Sequence, residues 1–148
     1  MGGHAYWYNV PFEADAQRAL DALRAREFQA GRYNPVLWRI DFTEPAFSAQ
    51  NPGAQHASIA DALDASESEG TRSILDISRI ADAPDFCVAA PLTAEELDSL
   101  FGTAQPTRAQ ALASDELLDM IERGHCRYLT LFENGTATEL FFVGYSFD

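Results

Sequence analysis

The sequence predicts an α+β domain in two layers: a mixed or antiparallel sheet of about five to six strands with helices packed on it. Three observations predict it. Short β-prone runs alternate with helical runs along the whole chain. The last two β-prone runs are joined by a two-residue turn, which makes at least one strand pair antiparallel. The chain has 148 residues, 47% of them hydrophobic, which suits one domain spanning residues 1–148 around one core.

The first strand is expected over 5–10, an aromatic run that Pro11 stops. A helix is expected from Glu13 to Ala30. Ala16, Ala19, Leu20, Leu23 and Phe28 lie roughly on one face, Glu13 and Asp15 occupy the first turn, and Gly31 supplies the C-terminal cap. Residues 36–42 alternate, with Val36, Trp38, Ile40 and Phe42 on one side, as a half-buried strand does. Residues 43–57 contain Pro45 and the turn tripeptide Asn51-Pro52-Gly53 and read as a long loop. Ser58 caps a short acidic helix to about Ser66, and Gly70 ends that unit. Strands are expected over 72–78 and 85–90. Thr93-Ala94-Glu95-Glu96 is a capping box that opens a helix to Phe101, closed by Gly102. Pro106-Thr107 begins a further helical stretch, strongest from Ser114 to Arg123, with Gly124 as its stop. The C-terminal hairpin, 126–133 and 136–147, turns on Asn134-Gly135, a dipeptide that tolerates the positive φ angles of a type I′ turn. Its second run is apolar on both faces and belongs in the sheet interior.

Composition excludes several function classes. The net charge is −13, and all ten basic residues are Arg. Such a chain is repelled by phosphate backbones and anionic lipid, so neither nucleic acid nor membrane is an expected partner. The two cysteines, Cys87 and Cys126, are too few for a disulfide scaffold and read as small buried hydrophobes. Met1 to Tyr6 lacks the basic region and apolar run of a signal peptide, so a cytoplasmic location is expected.

Catalytic and ligand motifs are sparse. His4, His56 and His125 show no metal-ligand spacing, and no phosphate-cradling glycine loop is present, so no cofactor is expected. His125-Cys126 places a base beside a thiol, but adjacent strand residues point to opposite faces. Glu67-Ser68-Glu69 has the spacing of the paired glutamates of some ADP-ribosyl-transferring enzymes, without their upstream Arg or Ser-Thr-Ser strand. Tyr6, Trp7 and Tyr8 offer aromatic anchors if one face of the first strand is open. Such a face would also suit self-association.

The charge pattern is the most informative feature. Residues 1–57 hold six acids and five Arg, and residues 123–148 three acids and two Arg; residues 58–122 hold fourteen acids and three Arg. Almost the whole imbalance lies in the middle. That suits a surface matched to a basic protein, formed by Asp61, Asp64, Glu67, Glu69, Asp82, Asp85, Glu95, Glu96 and Asp98. Bacterial immunity proteins and enzyme inhibitors that neutralise a basic partner enzyme have this character as a class. The alternative expectation is a small enzyme or ligand-binding domain with its site near the 43–57 loop, around His56 and the Glu67/Glu69 pair.

Overall fold

The computed structural model describes residues 3–36 and 51–147. The expected strand over 36–42, apart from Val36, and the loop over 43–50 lie outside them. In chain order the elements are β1 (Ala5–Pro11), α1 (Ala16–Ala30), α2 (Ile59–Ala65), a 3₁₀ turn (Ile74–Asp76), β2 (Arg79–Ile80), β3 (Val88–Pro91), α3 (Ala94–Phe101), α4 (Arg108–Leu112), α5 (Asp115–Asp119), β4 (Cys126–Glu133) and β5 (Thr136–Tyr145).

The strands form one mixed sheet in the order β1-β5-β4-β3-β2. The β1–β5 and β4–β5 pairs are antiparallel, and the β3–β4 and β2–β3 pairs are parallel. The α+β class and the C-terminal hairpin are therefore as the sequence predicts. Asn134 at φ 51° and Gly135 at φ 79° are the two positive angles of the expected turn. Glu133 faces Thr136 across it.

Register explains the core. Tyr6, Gly144, Cys126, Ala89 and Ile80 form one row across all five strands, and Tyr8, Phe142 and Tyr128 form the next. This face packs on Leu20, Leu23 and Phe28 of α1, on Ala62 of α2 and on Ile74 and Leu75 of the 3₁₀ turn. The alternate residues, Phe141, Val143, Leu129 and Leu131, look the other way. They are covered by Leu92, Leu117 and Ile121, with Leu97, Leu100 and Phe101 of α3 around them. The expected helical layer is thus joined by a second, thinner one, and β5 is covered on both sides. Tyr6 and Tyr8 are fully buried and Trp7 is half-buried in the second cluster, so the first strand presents no open aromatic face.

Several boundaries differ from expectation. Helix α1 starts later than Glu13, because Asp15 is its cap: the Asp15 carboxylate accepts from Arg18 N–H, and Glu13 Oε1 accepts from Asp15 N–H. The segment 72–78 is not a strand. Thr71 donates through N–H and hydroxyl to Asp76 Oδ1, and Ser73 Oγ accepts from Leu75 N–H. These side-chain bonds offer the backbone a turn in place of a ladder. Strand pairing is delayed to Arg79–Ile80, and the following strand runs over 88–91 rather than 85–90. Because β2 has only two residues, the 81–87 loop returns a short distance to make a parallel pair. The helix expected over 114–123 is only Asp115–Asp119. The chain then turns at Gly124, φ +75°, to bring Cys126 beside Ala89.

Gly144 is fixed by space rather than by φ. A Cβ there would stand 2.7 Å from both the Tyr6 hydroxyl and the His125 carbonyl oxygen. Gly144→Ala is expected to lower stability by about 1–3 kcal/mol, as overpacking does. Urea unfolding of the two proteins measures it.

Candidate functional site

The nine acidic residues expected to form a partner surface do not form one patch. Asp85 comes shortly before β3, whereas Glu95, Glu96 and Asp98 follow it on α3, so the strand separates these groups. Asp82 comes just after β2, which runs parallel to β3, and so lies level with the end of β3, near Tyr128. Asp61 and Asp64 lie exposed on α2, and Glu67 and Glu69 lie exposed in the turn that follows.

At the α3 end, Glu96 is internally engaged. Arg127 is buried on the second face of the sheet, on the same side of β4 as Leu129 and Leu131. Its Nε donates to the Ala90 carbonyl and its Nη2 to the Pro91 carbonyl. Both Nη atoms donate to the Glu96 carboxylate, at 3.1 and 2.6 Å. Glu96 Oε1 also accepts from Thr93 N–H in the capping box. The guanidinium beside Glu96, and the bonds from Thr93, hold this carboxyl below its ordinary 4.5. A depressed carboxyl contributes stability that is present above its unfolded value and lost as pH falls through the folded one. Glu96→Gln keeps the capping-box acceptor and removes the charge. It is expected to cost about 1–3 kcal/mol at pH 7. The difference from wild type should shrink as pH falls below 4.5, which a pH series of urea unfolding curves measures.

At the opposite end a more accessible arrangement is built from aromatic rings and glycines. Phe86, in the β2–β3 loop, is 56% exposed, the largest value among the exposed large hydrophobics of the described residues. Its ring lies against Gly124, where a Cβ would overlap it, and meets Phe147 with centroids 5.4 Å apart. Phe147 in turn covers Gly70, whose φ of +73° and lack of a side chain leave room for the ring. Through Gly70 and Phe147 the turn bearing Glu67 and Glu69 joins the Phe86 end of the β2–β3 loop, next to Asp85. Glu122, two residues before Gly124, has an 82% exposed side chain and lies 3.9 Å from His125. Arg72 pairs with Glu69 at 3.7 Å. Of the expected acidic residues this end gathers Glu67, Glu69 and Asp85 near an apolar centre. Its aromatic member was not among the expected site residues. The sequence signal was its position between Asp85 and Cys87, in a loop of otherwise small and acidic residues.

Beneath this end lies a buried polar group, Asp76. Desolvation raises its carboxyl, against lowering bonds from Thr71 and Arg72. Burial pushes the Cys87 thiol up to about 11 and the Cys126 thiol up to about 12. Cys126 is buried as expected, whereas Cys87, expected to be buried too, is only part-buried, because it sits at the end of the exposed β2–β3 loop. His125 is half-buried while Cys126 is fully buried. His56 Nδ1 lies 2.7 Å from the Tyr33 hydroxyl, and Tyr33 stacks on Phe28 at 5.8 Å. This tethers the end of the 43–57 segment to α1. Among the described residues no group of three or more His, Cys, Asp or Glu could hold a metal ion, and no helix is long and apolar enough to cross a membrane.

Two surface grooves flank β1. One, of about 310 Å³, lies between Trp7 and the α4–α5 pair, with Asp115 at its rim. The other, of about 320 Å³, lies between the end of β1 and α1 and is flanked by Arg18 and Arg26. In comparison with known proteins, no family model matches the chain, and no curated protein or solved structure matches it significantly.

Proposed function

We propose that this chain is an acidic protein-binding module of the cytoplasm, in kind an immunity or inhibitor protein, that docks a basic partner enzyme. The contact surface is the Phe86–Phe147 pair with Glu67, Glu69 and Asp85 beside it and Asp82 at the far end of the same loop. The observation that carries this reading is the exposure of Phe86 amid exposed carboxylates. An aromatic anchor supplies most of the energy of a contact, and the surrounding charges speed encounter and select the partner. Asp61 and Asp64 extend the same negative field along α2. Glu95 and Asp98 face the other end, and Glu96 serves the fold.

The test is capture from a lysate of the source organism on tagged wild-type protein and on two variants, Phe86→Ala and Asp82→Arg/Asp85→Arg. Wild type is expected to retain one stoichiometric basic protein. Phe86→Ala should weaken its binding at least tenfold through a faster off-rate, and the charge-reversed variant should slow its association in a salt-dependent way. Equal binding by all three proteins would rule out this surface.

A further inference from the structure

We propose that the groove between β1 and α1 binds a small amphipathic anion, a carboxylate on an aliphatic or aromatic body. This site is separate from the Phe86 surface and does not depend on it.

The shape comes from α1. Arg18, Ala22 and Arg26 are spaced four residues apart, so they lie along one ridge of the helix. Ala22, small and exposed, leaves a gap between the two long cationic side chains. The floor of the gap is apolar: Val10 of β1 and Ala19 and Leu23 of α1 are all buried and line the groove. A ligand lying there meets hydrocarbon below and guanidinium on either side.

The charges are in surplus. Among the described residues Arg18 has no carboxylate within ion-pair distance, although the chain carries 23 acids against ten Arg. Arg26 donates to Glu27 at 3.0 Å, but Glu27 is already held through both oxygens by Arg32, at 2.9 and 2.6 Å. One buried carboxylate thus has two guanidinium partners, and Arg26 carries charge that Glu27 does not need. Glu13 also lines the groove and keeps its charge while its Oε1 accepts from Asp15 N–H, so Arg18, Arg26 and Arg32 stand against two carboxylates, Glu13 and Glu27. A carboxylate between Arg18 and Arg26 would complete the balance, and guanidinium is the side chain best shaped to receive it. The opposite groove, with Asp115 and no arginine in its lining, lacks this preference.

The experiment uses octanoate, with octanol and octylammonium as chain-matched neutral and cationic controls, titrated into the isotopically labelled full chain and followed by NMR. Octanoate is expected to shift the signals of Val10, Ala19, Ala22 and Leu23 and to bind at least tenfold more tightly than either control. Arg18→Glu should weaken octanoate at least tenfold and leave octanol unchanged. Ala22→Trp, which fills the gap from an exposed helix position, should abolish binding of both, with thermal unfolding confirming that each variant is folded. Octanol or octylammonium binding as tightly as octanoate would overturn the charge assignment. Shifts mapping elsewhere, no octanoate binding, or full affinity in a folded Ala22→Trp protein would overturn the site.

Discussion

The fold depends on burying β5 on both faces. Leu140 and Phe142 point to one side and Phe141 and Val143 to the other, each at most 2% exposed. A strand of this kind must lie inside a sheet and be covered above and below. The N-terminal β1–α1 unit covers one side directly, since β1 pairs with β5 and α1 packs beneath them. The other side is covered by α3, α4 and α5, which all belong to the connection between the parallel strands β3 and β4. Because the pair is parallel, its connection must run back along the strands before β4 begins. The same segment therefore satisfies the topology and closes the second core.

Arg127 follows from this arrangement. Alternation on β4 puts it on the second face, in line with Leu129 and Leu131, where a charge is costly to bury. It is tolerated because its donors meet acceptors that the sheet leaves near the end of β3. The Ala90 and Pro91 carbonyls take two of them, and Glu96 supplies the countercharge. One side chain ties β4, the end of β3 and the first turn of α3 together. The pair contributes more to specifying this junction than to raw stability, because both charges lose water.

What could be read from the sequence divides along the range of the interactions involved. β1, α1, the capped α3 and the hairpin announce themselves through neighbours within a few residues: an aromatic run, a helical stripe, Thr93 with Glu96, Asn134 with Gly135. The segment 71–77 misleads because its apolar residues suit a strand, while Thr71, Ser73 and Asp76 satisfy the backbone through their side chains. Glu27 and Arg127 are charged residues that pattern alone assigns to the surface. Their burial depends on partners that no spacing rule names, although Arg127 shares its strand side with two leucines, which is a clue. For the candidate site, the sequence shows how much acid the middle carries, but not its division. Asp85 and Glu95 are ten positions apart and face opposite ends because a strand intervenes.

The Phe86 end differs from a merely loose loop. Cys87, which follows it, adopts φ 59°, a left-handed conformation that costs a non-glycine residue about 1–2 kcal/mol. Its N–H donates to the Gly124 carbonyl at 2.8 Å and its carbonyl accepts from Ser78 N–H at 3.0 Å, so the strained residue is pinned from both sides. Gly124 and Gly70 remove the side chains that would push the two rings away. Strain, two open glycine sites and an aromatic pair all act to hold one phenyl ring outward in a fixed place. A loop selected only for solubility would gain nothing from this, since exposing the ring is unfavourable in water. A binding surface does gain, because an anchor already fixed in position loses little further freedom when a partner closes over it. Strain next to an exposed aromatic is therefore the physical reason that the proposed recognition surface is put at this end of the sheet rather than along α3, where Glu96 is already committed to Arg127.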